Sequence, residues 1–174
     1  MDESDESKSF EVMPMREDDL DQVLLIEASS FSSPWTEEMF RYELLKSAFS
    51  WCLVAKPKEE KEKSGIHSGS VLGYICLWVI GDEMQIANVA VHPSWRRKGI
   101  GKALLSHALK LGNSHGAKMA VLEVRVSNTG AQRLYRSFGF QVAGIRKGYY
   151  QFPPEDALVM VFSFAGRSSR PKMS

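Results

Sequence analysis

Between Arg96 and Lys102 the chain sets four basic side chains, Arg96, Arg97, Lys98 and Lys102, around two glycines, Gly99 and Gly101. The run follows directly on the apolar stretch Val89-Ala90-Val91 and leads into Ile100, Leu104, Ala108 and Leu111, which recur at helical spacing. A strand, a tight turn and a helix start form an arrangement suited to an anion. The first helical turn leaves backbone N–H groups unpaired and carries partial positive charge, and glycines let a phosphate approach the backbone closely. The spacing is neither that of a P-loop nor that of a dinucleotide-binding glycine turn. Read alone, these residues support a glycine turn opening an amphipathic helix, with a latent phosphate site.

Two further residues stand out by position. Glu123 falls in the alternating run KMAVLEVRV, between Leu122 and Val124, where a charge is uncommon unless it is satisfied. Its ordinary reading is a strand carboxylate paired with Arg125 or Arg146. Tyr135 lies on an apolar helical stripe with Ala131, Leu134 and Phe138, and periodicity alone makes it a core tyrosine. The histidines, His67, His92, His107 and His115, form no ligand cluster, so no metal is implied.

The elements that must position these residues can be read along the chain. Phe10–Met15 reads as a strand and residues 17–30 as a helix with Leu20, Val23 and Leu24 on one stripe. A second helix starts with Ser33 before Pro34, or with Thr36 before the Glu37-Glu38 pair. WCLVA at 51–55 is a strand, and residues 56–70 form a charged loop expected to be solvated. VLGYICLWVI and EMQIANVAV follow in hairpin order, then the glycine turn and a helix to about His115. In KMAVLEVRV, Leu122, Val124 and Val126 face one way and Val121, Glu123 and Arg125 the other. Asn128 caps a helix to Phe138, Gly139 suits its left-handed end, and YYQ, a Pro-Pro turn and ALVMVFSF supply a final strand or two.

The fold expected is α/β (α+β): one domain with a mixed, mostly antiparallel central sheet and helices on both faces. Its bounds are 10–164, between a disordered N-terminus at 1–9 and a disordered tail at 165–174. A net charge of +1 points to no nucleic acid and no anionic lipid, and no apolar run approaches a membrane span. The acidic start MDESDESKS is unlike a signal peptide, and Cys52 and Cys76 are expected as reduced, buried thiols of a cytoplasmic protein.

RRKGIG matches the signature of Gln or Arg, two residues, Gly, one residue, then Gly or Ala, with NVAVHP before it. LEVRVSNTGAQRLYRSFGF, GYYQFPPEDALVM and the upstream segment from Glu27 through Phe31, Pro34 and Trp35 to Thr36 complete an ordered set. Together they resemble the GNAT superfamily of acyl-CoA-dependent N-acetyltransferases, and within it the ribosomal-protein-alanine N-terminal acetyltransferases. The resemblance covers roughly residues 10–163, apart from the loop at 56–70.

The resemblance implies acetyl-CoA as cosubstrate, its pyrophosphate wrapped by Arg97, Lys98, Gly99, Ile100, Gly101 and Lys102. It implies main-chain groups of Val89, Ala90 and Val91 for the pantetheine arm and the acetyl carbonyl, where a fixed donor would stabilise the developing oxyanion. It makes Glu123 the general base that takes a proton from the attacking amine, directly or through water. It makes Tyr135 the acid that protonates the leaving thiolate, and it brings Asn128 to the cofactor. Phe31 and Trp35, with Tyr149 and Tyr150, are implied on the acceptor side. The acceptor expected is the N-terminal amine of a protein or peptide, by resemblance a ribosomal protein, attacked in a ternary complex. Two other readings are a lysine side chain or small-molecule amine as acceptor, and a CoA-binding module without turnover.

Overall fold

A computed structural model describes residues 9–58 and 69–167. The strands are β1 (Phe10–Pro14), β2 (Ser50–Pro57), β3 (Gly73–Ile80), β4 (Glu83–Val91), β5 (Met119–Arg125), β6 (Gln141–Gln151) and β7 (Pro154–Ser163). The helices are α1 (Leu20–Ser30), α2 (Glu37–Leu45), α3 (Ile100–Ser114) and α4 (Thr129–Phe138). The strands form one mixed sheet in the order β1-β2-β3-β4-β5-β7-β6. β1 pairs antiparallel with β2, and β7 antiparallel with both β5 and β6, whereas β4 and β5 run parallel. Their parallel pairing covers only Glu83–Gln85 against Met119–Val121.

The described chain falls into two compact units, one of residues 9–77 and 87–108, the other of 78–86 and 109–167. In the first, α1 lays Leu20, Val23 and Ile26 into a core with Phe40, Val54 and Tyr74. A short 3-10 turn at Glu17–Asp19 precedes α1. The Asp19 carboxylate closes that turn by accepting from the Arg16 amide at 2.8 Å and pairing with Lys56 of β2 at 2.6 Å. Of the two candidate starts for α2, Thr36 is the cap: its backbone is extended and its hydroxyl accepts from the Met39 amide at 3.3 Å. Gly73 is required by packing. A Cβ there would stand 2.9 Å from the Ala90 carbonyl oxygen, so β3 can approach this part of β4 so closely only without a side chain. Cys52 and Cys76 are both free and buried.

In the second unit β5 alternates as expected, but its buried residues are Ala120, Leu122 and Val124. Val126, expected on the same face, is exposed, because the strand ends at Arg125. The Asn128 side chain caps α4 by accepting from the Ala131 amide at 3.2 Å. Gly139 ends the helix with φ 105°, and Phe140 packs against Tyr135 and Phe162 at ring distances of 5.9 and 5.4 Å. The final hairpin is longer than the YYQ stretch suggests, β6 running for 11 residues. Phe164–Arg167 forms a further 3-10 turn at the start of the tail expected from 165. Of the disordered N-terminus expected at 1–9, the tail at 165–174 and the solvated loop at 56–70, residues 1–8, 168–174 and 59–68 lie outside the described residues. Among those described, no helix is long and apolar enough to cross a membrane.

Candidate active site

In the first unit, the end of β4 runs into the basic turn through a short 3-10 segment, Pro93–Trp95, capped by the His92 ring accepting from the Ser94 amide at 3.1 Å. Arg97 has φ 61° and Gly99 φ 82°, while Lys98 between them is not left-handed. Alternation in the sign of φ is a backbone pattern in which successive N–H groups can share one concavity that favours an anion. The first-turn amides of α3 add donors without intrahelical acceptors. The basic side chains are partly committed elsewhere. Arg96 donates from Nε to the Val91 carbonyl at 3.2 Å and from Nη2 to the Ser30 hydroxyl at 3.4 Å. The Lys98 ammonium lies 4.6 Å from the centre of the Trp95 ring. Ala90 is buried, and Val89 and Val91 are half-buried.

The same unit holds a residue whose chemistry the pattern reading passed over. Glu27, 1% exposed, projects from α1. Its Oε1 accepts from the Trp35 amide at 2.9 Å, and its two oxygens accept from the Asn88 side-chain amide at 2.8 and 2.7 Å. The Tyr74 hydroxyl also donates to it. Burial pushes this carboxyl above its ordinary value, against the Trp35 and Asn88 hydrogen bonds, which pull it down. A signal was present in the sequence. Position 27 follows Leu20 and Val23 by seven and four residues, which places a carboxylate on the buried helical stripe. Trp35 packs on Phe40 at 5.2 Å between ring centres, whereas Phe31 is exposed.

In the second unit, Glu123 is held on β5 by two donors. Gln85 Nε2 donates to Oε2 at 2.9 Å, and Arg146 Nε stands 3.4 Å from Oε1. Arg125 does not pair with it. That guanidinium is turned to Glu155 at 3.3 Å, to the Phe152 and Pro153 carbonyls, each at 3.1 Å, and over the Tyr150 ring at 4.1 Å. Glu155 also accepts from the Ser127 amide and hydroxyl, and those bonds, ahead of Arg125, hold its carboxyl below the usual range.

Tyr149 and Tyr150 are neighbours in sequence, yet their rings meet edge to face at 5.0 Å. A regular strand would send them to opposite faces. The register between β6 and β7 shifts between Arg146 and Tyr150, with Gly148 at φ 62° and its amide donating to Asp156 at 2.8 Å. The bulge is what brings the two rings together.

Burial, with the neighbouring Tyr149, pushes the Tyr150 phenol up to about 12, and Glu123 acts on it in the same sense. Tyr149 is raised by burial and by Glu123. Tyr135, 6% exposed, is raised well above the ordinary phenol by burial and then by Tyr150. Glu123, Tyr149, Tyr150 and Tyr135 therefore form a chain of electrostatic neighbours in one unit. It can hold a proton acceptor at one position and a protonated phenol at another. Gln132, which periodicity did not single out, is buried and ties α4 to the end of β5 by donating to the Arg125 and Val126 carbonyls at 3.1 and 2.9 Å.

Comparison with known proteins adds to this geometry. The profile of the acetyltransferase (GNAT) family matches residues 20–140. A protein of Bacillus subtilis (strain 168), provisionally named a ribosomal protein bS18-alanine N-acetyltransferase, is 44% identical over 86% of this chain and 92% of its own length. The ribosomal protein bS18-alanine N-acetyltransferase of Escherichia coli (strain K12) is 32% identical over 82% of this chain and 89% of its own. The crystal structure of the ribosomal-protein-S18-alanine N-acetyltransferase from Escherichia coli superposes with a TM-score of 0.76 at 27% identity, covering 94% of this chain and 99% of that one.

Proposed function

The chain belongs to the acetyltransferase (GNAT) family, and from that membership we propose that it moves the acetyl group of acetyl-CoA directly onto the N-terminal α-amine of a protein. The observation that carries the chemistry is the joint presence, in one unit, of a carboxylate held by only two donors and a buried phenol kept protonated. In this reading Glu123 accepts the proton of the attacking amine. The amine nitrogen bonds to the thioester carbon, the carbon–sulfur bond breaks, and Tyr135 gives its proton to the departing thiolate. Backbone amides from Arg97 to Lys102 seat the pyrophosphate, main-chain groups of Val89–Val91 hold the pantetheine arm and the thioester oxygen, and Asn128 lies along the cofactor.

The relatives described above are named for an alanine of ribosomal protein bS18, which supports a ribosomal N-terminus as the acceptor here, and the reaction is assigned to the cytoplasm. Phe31 and Trp35, and likewise Tyr149 and Tyr150, are assigned to that peptide. Physical chemistry favours the same choice. An α-amine with a pKa of about 7.7–8.0 is partly neutral at pH 7, whereas a lysine near 10.4 is almost wholly protonated, so a modest carboxylate base suffices for the first.

The test sets a peptide that begins with a free alanine and contains an internal lysine beside the same peptide blocked at its N-terminus. Thiol release from acetyl-CoA and mass mapping of the acetyl group are read together. Acetyl on the α-amine of the free peptide, with the blocked peptide inert, is expected. Acetyl on the lysine of either peptide overturns the proposed acceptor.

A further inference from the structure

The proposed chemistry leaves Glu27 without a task, although it is the most deeply buried carboxylate among the described residues. We propose that Glu27 is a positioning residue: one carboxylate grips both the Trp35 amide of the α1–α2 connection and the Asn88 side chain of β4, fixing the acceptor loop against the strand that holds the thioester. The inference rests on the function proposed above, in which Phe31 and Trp35 line the acceptor side and Val89–Val91 carry the cosubstrate.

Three observations support it. First, a leucine at position 27 would continue the buried stripe of Leu20, Val23 and Ile26 without desolvating a charge, and replacing buried ionic groups by apolar ones is often neutral or stabilising. Packing alone therefore gives no reason for a carboxylate there. Second, the carboxylate is fully used. Trp35, Asn88 and Tyr74 reach it from the connecting loop, β4 and β3, so it fixes three elements to α1 at one point. Third, the other end of the same loop is tied to the same strand end. Arg96 joins Ser30, the last residue of α1, to the carbonyl of Val91. Residues 31–34 are thus held between two ties that both run to the end of β4, with Asn88 next to Val89.

Steady-state kinetics with an alanine-first peptide and acetyl-CoA, each varied, test this on the full chain and three variants. Glu27→Gln turns one acceptor toward the Asn88 amide into a donor. Asn88→Asp sets a second carboxylate against Glu27. The double variant restores a donor and an acceptor with the partners exchanged. Each single change is expected to raise the KM for peptide about tenfold, the scale of a lost hydrogen bond to a charged group, with the KM for acetyl-CoA unchanged. The double variant is expected to return the peptide KM to within about threefold of the parent. Should a single variant fail to fold, Asn88→Ala, which keeps the Trp35 and Tyr74 bonds to Glu27, is expected to raise the peptide KM in its place. Unchanged peptide KM with only a lower melting temperature, or a double variant no better than the singles, overturns the positioning role alone. A parent protein inactive on every unblocked peptide overturns the proposed function and this inference with it.

Discussion

Glu123 and Glu27 are both carboxylates inside regular elements, and their surroundings set them to different work. Glu123 receives one hydrogen bond, from the neutral amide of Gln85, and a longer contact from the exposed Arg146. Glu27 receives the Trp35 amide, the Asn88 side chain and the Tyr74 hydroxyl, and keeps 1% of its surface. A group so fully engaged holds structure, and one with fewer partners can exchange a proton. At this scale the prediction concerns Glu123→Gln, which keeps the shape and loses the base. Its kcat at pH 7 is expected to fall by about a hundredfold or more, with the Kd for acetyl-CoA nearly unchanged. Pre-steady-state turnover beside a binding titration checks it, and a fully active variant removes Glu123 from the base role.

The glycine turn is an element whose meaning depends on backbone conformation. Gly99 stands at φ 82°, and a Cβ added there would meet nothing within 4 Å, so a substitution brings strain and no clash. Moving an L-residue into that region costs about 1–2 kcal/mol, and relaxation would turn the amides away from the concavity. Lys98 already leans on Trp95 and Arg96 on Val91 and Ser30. Gly99→Val is therefore expected to raise the Kd for acetyl-CoA about tenfold, and Lys98→Ala to change it by no more than about threefold. Calorimetric titration of both variants decides the matter. A larger loss with Lys98→Ala would mean that the turn binds by side-chain charge. The terminal hairpin makes a similar point: its bulge, closed by Gly148 and Asp156, brings two consecutive tyrosines into ring contact.

For the whole molecule, the raised phenols couple function to alkaline stability. Tyr135, Tyr149 and Tyr150 all hold their protons more tightly folded than a free phenol, whose pKa is about 10. Above that pH the unfolded chain releases protons that the folded chain keeps, so stability falls as pH rises, for Tyr150 through the interval from about 10 to about 12. Urea midpoints measured between about pH 9.5 and 11.5 are expected to decline, and to decline less steeply in Tyr150→Phe. Equal slopes for the two proteins would remove Tyr150 from this account. The alternation around Glu123, the stripe of α4, the Asn128 cap and the Gly139 end were legible in the sequence, because each follows from spacing within one element. The family was legible as well, since its motifs are contiguous runs whose order survives without coordinates. Other features are contacts between residues far apart in the chain, and no local period encodes them. They include the choice of Arg146 over Arg125 as partner of Glu123, the engagement of Arg96 with Ser30, and the Glu27 grip on Trp35, Tyr74 and Asn88. The sequence by itself determined which chemical groups this protein possesses and the elements that bear them. Only the tertiary structure decided their partners, because hydrogen bonding and desolvation depend on neighbours in space.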